Sequence, residues 1–147
     1  MVNFYKDKVI IVTGASSGIG LASATRFASL GAKIVLAARS IDKLEKIAEE
    51  INKKFNKSTD NVLCVKTDVT KEEDCKNLVE QTVKHFGKID VLVNNAGISM
   101  RAVFKDMDLG VMRSLMDTNF WGTVYCTKYA LPYLLESKGS VVGVIST

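Results

Sequence analysis

The stretch "TGASSGIG" (residues 13–20) follows a short apolar run, "VIIV" (residues 9–12), and leads into a helical pattern. A continuous apolar run that ends in turn residues predicts a buried β-strand. The glycines fall at positions 14, 18 and 20, between that strand and a helix that we expect to begin near Ile19. Gly14 can adopt the strained turn at the end of the strand, and Gly20 allows the helix to pack close to the sheet. The stretch therefore predicts the start of a β-α-β unit.

The same turn has the features of a phosphate-binding loop. Gly18 lets a backbone approach a pyrophosphate closely, and the unpaired N–H groups and positive dipole end of the helix N-terminus attract an anion. Glycine spacing alone is weak evidence, and a glycine-rich turn that binds nothing is the alternative. The position of the turn between a strand and a helix favours phosphate binding. We expect a doubly phosphorylated nucleotide to lie against Gly14, Ser16, Ser17, Gly18, Ile19 and Gly20.

Apolar runs and helical patterns alternate along the rest of the chain. Four further buried strands are predicted, at residues 33–39, 62–68, 88–97 and 140–146. Strands that alternate with helices form a parallel sheet joined by right-handed crossovers, with helices on both faces. The sequence contains no repeat, low-complexity tract or linker. We predict one α/β domain over residues 1–147, a three-layer doubly wound parallel sheet.

Local signals predict how some of the helices begin and end. Gly87 follows a helical pattern, at a place where a left-handed residue is favoured. Thr70 and Glu73 have the spacing of a capping box ahead of that same helix. Pro132 lies inside a long helical stretch, residues 117–137, and predicts a kink or an early end there.

Composition and charge exclude several classes of protein. Hydrophobic residues make up 47% and charged residues 24%, as in ordinary soluble globular proteins. The net charge of +4 is too small and too evenly scattered to indicate binding to nucleic acid or to a membrane, and no apolar stretch reaches membrane-span length. The three cysteines have no metal-ligand spacing and fit small core positions, so we predict no metal site and a reducing, cytoplasmic location. His85, the single histidine, is expected at a helix surface.

Four stretches, in order, carry a resemblance to the short-chain dehydrogenase/reductase family: "TGASSGIG", "DVT" (residues 68–70), "NNAG" (residues 94–97) and "NFWG" (residues 119–122). The longer stretch "NFWGTVYCTKYALPYL" is similar to the 11β-hydroxysteroid-dehydrogenase-like group within that family. The resemblance covers the whole chain and implies a Rossmann fold whose strands run in the order 3-2-1-4-5. The fifth strand would then be an unpaired edge. Such an edge and uncovered apolar helix faces favour association, so we expect a homo-oligomer.

The residues after the second predicted strand indicate which dinucleotide binds. In dinucleotide-binding folds a carboxylate at this place hydrogen-bonds a ribose 2′-OH, whereas an arginine accommodates a 2′-phosphate. Ala38 stands where NAD-preferring members of the resembled family carry an acid, and Arg39 follows it. A guanidinium can bind a phosphate through two hydrogen bonds. We therefore predict NADP as the cofactor. An ordinary solvated charge at a strand end is the alternative for Arg39.

The resemblance implies further cofactor contacts after the third and fourth strands. Asp68 would accept a hydrogen bond from the adenine amino group, and Val69 would pack on the ring. Asn95 would help to hold the sheet, while the backbone of Asn95, Ala96 and Gly97 would lie along the ribose next to the nicotinamide. Both places also have simpler explanations, because Asp68 suits an Asx turn and "NNAG" is a good turn sequence.

The resemblance implies hydride transfer between nicotinamide and an alcohol or carbonyl substrate, which requires groups that orient and protonate the oxygen. Asn119 matches the family's asparagine, which organises a water-linked proton path. Ser146 matches the serine that binds the carbonyl oxygen, and Thr147 takes that place if the register slips by one residue. The family's tyrosine, with a lysine four residues later, has no match here, because no tyrosine of this chain has lysine at that spacing.

We therefore expect the nucleotide-binding part of an NADP-dependent oxidoreductase, truncated after the fifth strand and acting on a small-molecule alcohol or ketone. The alternative is a non-catalytic nucleotide-binding fragment, or a subunit that another chain completes. An epimerase or dehydratase is disfavoured, because such proteins more often show Gly-x-x-Gly-x-x-Gly near the start.

Overall fold

The computed structural model describes residues 3–145, in which strands and helices alternate. The parallel strands are β1 (Val9–Thr13), β2 (Lys33–Ala38), β3 (Val62–Lys66), β4 (Val91–Asn94) and β5 (Ser140–Gly143). The α-helices are α1 (Gly18–Ser29), α2 (Ile41–Phe55), α3 (Glu72–Phe86), α4 (Leu109–Met116) and α5 (Gly122–Ser137). A π-helical segment, Asp117–Trp121, joins α4 to α5. Short 3-10 turns occur at Thr59–Asn61 and Phe104–Asp106.

The five strands form one sheet in the order β3-β2-β1-β4-β5, with every neighbouring pair parallel. This confirms the predicted doubly wound α/β fold. The middle strand, β1, is buried along its whole length, as a parallel sheet covered on both faces requires. Ile11 of β1 lies opposite Val35 of β2 and Leu92 of β4.

Alternate residues of β1 face two different core layers. Ile10 and Val12 pack in the layer that contains apolar residues of α1 and α2. Ile11 packs in the layer that contains apolar residues of α3 and α5. Full burial of one such side chain contributes about 1.5–3 kcal/mol relative to exposure. The central strands of the sheet therefore lie between two helical layers.

The cysteines belong to this core rather than to a disulfide. Cys75 of α3 and Cys126 of α5 are buried in the same layer, and Cys64 of β3 is half-buried. All three are free thiols. His85 is exposed on α3, as expected.

One of the local predictions was wrong. The N-cap of α3 is Lys71, without a side-chain cap, and the Thr70 hydroxyl instead donates to the carboxylate of Asp68 at 2.7 Å. The Thr70 hydroxyl thus bonds the nearby Asp68 carboxylate instead of a backbone N–H at the start of α3, as a capping box would require. Pro132 does not end its helix early, because α5 continues to Ser137, and a kink at this residue stays a prediction. The Gly87 prediction is confirmed, since Gly87 ends α3 with a φ of +80°.

The strand β5 is the last strand of the sheet among the described residues, as the predicted order requires. All four of its residues are exposed, including Val141 and Val142.

Among residues 3–145, no helix combines the length and the apolar character that crossing a bilayer requires.

A buried carboxylate joins three strands at the amino edge of the sheet. Asp90 is 5% exposed, and its Oδ2 accepts a hydrogen bond of 2.8 Å from the backbone N–H of Val9. Lys88 Nζ lies 3.0 Å from Oδ2, and Lys8 Nζ lies 4.0 Å from Oδ1. The carbonyl of Asp90 accepts from the backbone N–H of Ser140 at 2.9 Å. One residue therefore fixes the starts of β1, β4 and β5.

We predict that Asp90→Ala lowers the free energy of unfolding by about 1–3 kcal/mol, because the buried N–H of Val9 is left unpaired. Urea denaturation followed by circular dichroism measures the change. Asp90→Asn is the control, since it keeps an acceptor for Val9 and loses only the charge. An alanine variant as stable as the wild type would contradict this role for Asp90.

Candidate functional site

A cleft of about 900 Å³ opens at the carboxyl edge of the sheet. Ligands bind at this edge in open α/β sheets, and the volume falls within the range of roughly 300–1,000 Å³ that is common for ligand pockets. Most of the residues predicted to contact a nucleotide line it, namely Gly14, Ser16, Ser17, Ile19, Arg39, Asp68, Val69, Asn95, Ala96 and Gly97. Gly18 and Gly20, which were also predicted to contact a nucleotide, do not line the cleft and instead shape the turn beside it.

The turn after β1 has a backbone that only glycine adopts easily. Gly14 has a φ of +62°, and a Cβ there would lie 2.9 Å from the Cα of Ala96. Gly18 has a φ of +56° and nothing within 4 Å of a Cβ. Gly20 has no room for a Cβ, which would collide with the Gly14 carbonyl and the Asn95 side chain. The turn is therefore tight on the side that faces the sheet and open at Gly18.

The start of α1 suits an anion. Ser17 occupies the N-cap in an extended conformation, and its side chain makes no cap hydrogen bond. The first turn of α1 carries no acidic residue. Because the first N–H groups of a helix have no intrahelical partner, those of α1 are left for water or for a ligand. A phosphate is the kind of ligand that such a helix end binds.

Hydrogen bonds from β1 hold the loop after β4 against the glycine turn. Thr13 Oγ1 accepts from the backbone N–H groups of Asn95 (3.0 Å) and Ala96 (2.9 Å), and donates to the carbonyl of Val93 at 3.4 Å. Asn95 Nδ2 donates to the carbonyls of Thr13 (3.1 Å) and Gly14 (3.2 Å). Asn95 thus joins the loop after β4 to the turn after β1. Sequence reasoning missed Thr13, whose only signal was a hydroxyl at the end of a buried apolar strand.

Asp68 combines an Asx turn with a place in the cleft lining. Its Oδ1 accepts from the hydroxyl of Thr70 at 2.7 Å and from the backbone N–H of Thr70 at 3.0 Å. The hydrogen bond from the Thr70 hydroxyl is the largest of the effects that hold the pKa of Asp68 below its ordinary value, and the charges of Lys71 and Arg39 act in the same direction. The carboxylate is therefore ionised at neutral pH and keeps a second oxygen for a ligand.

Val69, beside Asp68, is mainly a core residue. It is 7% exposed and packs in the layer under α3 and α5. A Cβ on Gly122 of α5 would lie 2.8 Å from its Cγ2. The remaining exposed part of Val69 lines the cleft. The side chain is therefore held firmly where a flat ring could lie against it.

The end of the cleft beyond β2 is positively charged. Ala38 is the last residue of β2, and the exposed Arg39 follows it. Ser40 and Lys43, at the start of α2, line the same end. Sequence reasoning missed Lys43 as a lining residue, although its position four residues after Arg39 was a signal.

Asn119 clamps the loop after β4 rather than lining the cleft. Its Oδ1 accepts from the backbone N–H of Ile98 at 2.9 Å, and its Nδ2 donates to the carbonyl of the same residue at 2.8 Å. It lies in the π-helical segment Asp117–Trp121. Such segments occur often at functional sites. Asp117 and Thr118, just before Asn119, do line the cleft, and sequence reasoning missed both.

The second predicted catalytic residue cannot be placed in the same way. Ser146 lies outside the described residues, as does Thr147. The part of the candidate site that the structure describes is therefore the cleft at the carboxyl edge of the sheet together with Asn119.

Comparison with known proteins gives the family of the chain and several relatives. A family model described as "short chain dehydrogenase" matches residues 8–147. The 11-beta-hydroxysteroid dehydrogenase 1A of Arabidopsis thaliana is 44% identical over 146 residues, which are 99% of this chain and 41% of that protein. The dehydrogenase/reductase SDR family protein 7-like of Dictyostelium discoideum is 39% identical over 145 residues, or 97% of this chain and 46% of that protein. The chain thus spans less than half the length of these relatives.

Solved structures agree in fold. A short-chain dehydrogenase/reductase of unknown function from Caenorhabditis elegans, determined with cofactor, superposes with a TM-score of 0.90 at 36% identity over 97% of this chain and 54% of that chain. An alcohol dehydrogenase from Thermococcus sibiricus, complexed with 5-hydroxy-NADP, superposes with a TM-score of 0.89 at 31% identity over 94% of this chain and 57% of that chain.

We predict that Thr13→Val speeds amide hydrogen exchange at Asn95 and Ala96, because it removes the oxygen that both N–H groups donate to. We also expect a loss of about 1–2 kcal/mol in the free energy of unfolding. Exchange measured by NMR tests the local effect. Thr13→Ser keeps the hydroxyl and should retain protection at both amides. Unchanged exchange in the valine variant would show that this hydroxyl does not hold the loop.

Proposed function

The chain belongs to the short-chain dehydrogenase/reductase family, and from this premise we propose that it binds NADP(H) in an oxidoreductase that transfers a hydride between nicotinamide and an alcohol or carbonyl group. The observation that carries the proposal is the open, uncapped turn at Gly18 beside a cleft of about 900 Å³. The parts of a dinucleotide have matching surroundings there: free helix N–H groups for a pyrophosphate, a carboxylate beside an apolar surface for adenine, and a cationic end for a phosphate.

The contacts expected for the cofactor follow from these surroundings. The backbone around Ser17 and Ile19 would hold the pyrophosphate. Asp68 and Val69 would hold the adenine, and the loop at Asn95 would lie along the ribose next to the nicotinamide. A bound nicotinamide supplies or accepts the hydride.

NADP is favoured over NAD at the end of β2. A carboxylate after β2 would repel a 2′-phosphate and accept a hydrogen bond from a 2′-OH instead. The chain has Ala38 there, followed by the exposed Arg39 in the cleft lining. An alcohol dehydrogenase of similar fold was solved with 5-hydroxy-NADP.

The chain's own residues supply only part of the chemistry at the substrate oxygen. We assign Ser146 to orient that oxygen by a hydrogen bond, and Asn119 to hold the neighbouring loop through Ile98. Protonation of the oxygen requires a further donor. None of the four tyrosines in this sequence has a lysine four residues later, which is the spacing of the proton donor in the resembled family.

That missing donor favours a second candidate function, a nucleotide-binding chain that performs no redox reaction by itself. The two candidates are distinguished by whether the gene encodes Tyr-x-x-x-Lys after Thr147. For the chain as given, we expect weak binding of NADP(H) and negligible turnover of ketones. A normal enzymatic rate from the 147-residue protein would contradict this expectation.

We predict that Gly18→Ala weakens NADP(H) binding by about tenfold or more, because an alanine strained at a φ of +56° would shift the turn whose helix N–H groups would hold the pyrophosphate. Isothermal titration calorimetry on the wild type and the variant measures the change. Gly87→Ala is the matched control, since both glycines have positive φ and nothing within 4 Å of a Cβ. The control should lose similar stability and keep its affinity. Equal affinity in the Gly18 variant, or no binding by the full-length gene product, would overturn the proposal.

We predict that Arg39→Asp lowers the ratio of NADP to NAD affinity by about 10–100-fold, as expected for the loss of charge-assisted hydrogen bonds and the introduction of a like charge. Parallel titrations with the two dinucleotides measure the ratio. Arg26→Asp, an exposed change on α1 outside the cleft lining, controls for the overall change in charge. An unchanged ratio would remove Arg39 from cofactor selection.

A further inference from the structure

Three polar residues that follow β2 closely in the chain line the cleft. Arg39 follows the strand, Ser40 is the N-cap of α2, and Lys43 lies in the first turn of that helix. All three line the cleft. We propose that Lys43 is a specificity-determining residue, a second cation that acts with Arg39 on the 2′-phosphate of the dinucleotide and favours NADP over NAD. This inference rests on the proposed function, that the cleft binds a nicotinamide dinucleotide.

Arg39 by itself does not make the cleft positive. Among the described residues that line it, two carboxylates, Asp68 and Asp117, accompany two cations, Arg39 and Lys43. Removal of Lys43 would leave a net negative lining. A phosphate monoester carries a charge of roughly −1.5 to −2 at neutral pH. A lining without Lys43 would therefore oppose the dianion instead of binding it.

The ionised Asp68 also weakens the effect of Arg39. Hydrogen bonds from Thr70 keep this carboxylate charged, and Arg39 is close enough to add to the lowering of its pKa. The attraction is mutual, so the field of Arg39 is partly neutralised before any ligand arrives. No ion pair within 4 Å joins the two side chains in the described part of the chain. The guanidinium can therefore still turn to a ligand, and a second cation is needed beside it.

The surroundings of Lys43 leave its ammonium group for a ligand. The side chain is exposed and makes no hydrogen bond or salt bridge within residues 3–145. Helix stability does not explain a lysine at this position, because a cation in the first turn of a helix opposes the helix dipole. A lysine suits a phosphate as a mobile point charge, beside the fixed fork of an arginine.

The chain contains a matched control for this residue. Lys46 lies three residues further along α2, is also exposed, and is outside the cleft lining. Lys43→Gln and Lys46→Gln remove the same charge from the same helix. Calorimetric titrations of the wild type and both variants with NADP and with NAD compare their effects. Circular dichroism checks that both variants keep the fold.

We expect Lys43→Gln to weaken NADP binding by about tenfold, the loss typical of one charge-assisted contact, and to change NAD binding by less than about twofold. Lys46→Gln should leave both affinities unchanged. Lys43→Arg, which keeps the cation, should restore most of the NADP affinity. The preference for NADP should also fall as salt concentration rises, since exposed charges are screened.

Equal losses of NADP affinity in the two glutamine variants would overturn the role of Lys43. Equal losses of NADP and NAD affinity in Lys43→Gln would overturn it as well, and so would a wild type that binds both dinucleotides equally. In each of these results dinucleotide binding itself still stands. A wild type that binds neither dinucleotide contradicts the proposed function, and with it the inference.

Discussion

The site depends on one close contact, between the turn that follows β1 and the loop that follows β4. Gly20 brings the start of α1 so near to the Gly14 carbonyl and the Asn95 side chain that no Cβ fits between them. Asn95 uses this closeness to donate to two carbonyls of the turn. The contact fixes where the uncapped end of α1 points. A Cβ at Gly20 would therefore force the turn, the Asn95 side chain or the start of α1 to shift.

The polar groups at the two edges of the sheet differ in how many of their hydrogen bonds are made within the protein. At the amino edge, Asp90 is buried and fully occupied by Val9, Ser140 and two lysines. At the carboxyl edge, polar groups make only some of the hydrogen bonds they can form within the protein. Asp68, for example, accepts a hydrogen bond from the Thr70 hydroxyl and still lines the cleft. A buried polar group must find partners within the fold, because leaving it unpaired is costly. A partly exposed polar group needs no partner within the fold, because water can form hydrogen bonds with it when no ligand is bound.

The charges of the cleft also act together rather than singly. Asp68 and Arg39 influence each other electrostatically, so neither has the strength that its formal charge suggests. Lys43 changes the balance from outside this pair, on a different element. The proposed cofactor preference therefore depends on the charges of the whole lining, to which the residue after β2 is one contributor.

Sequence by itself determined the fold class and most of the lining. Apolar runs that end in turn residues predicted the five strands, because a buried parallel strand needs side chains that suit both covered faces. The strand order 3-2-1-4-5 came from the resemblance of four ordered stretches. The glycines of residues 14–20 predicted a tight turn between a strand and a helix, and the structure has one there.

Only the tertiary structure decided which groups meet across the sheet. Thr13 and Asn95 are 82 positions apart, and Asn119 clamps Ile98 from 21 positions away. The local pattern predicted Thr70 as part of a helix cap, yet its hydroxyl binds Asp68. The sequence pattern did not distinguish Lys43 from other charged residues on helices, whereas the fold places it in the same cleft lining as Arg39. Periodicity and turn chemistry record the preferences of neighbouring residues, whereas these contacts arise only when crossovers bring distant strand ends to one edge.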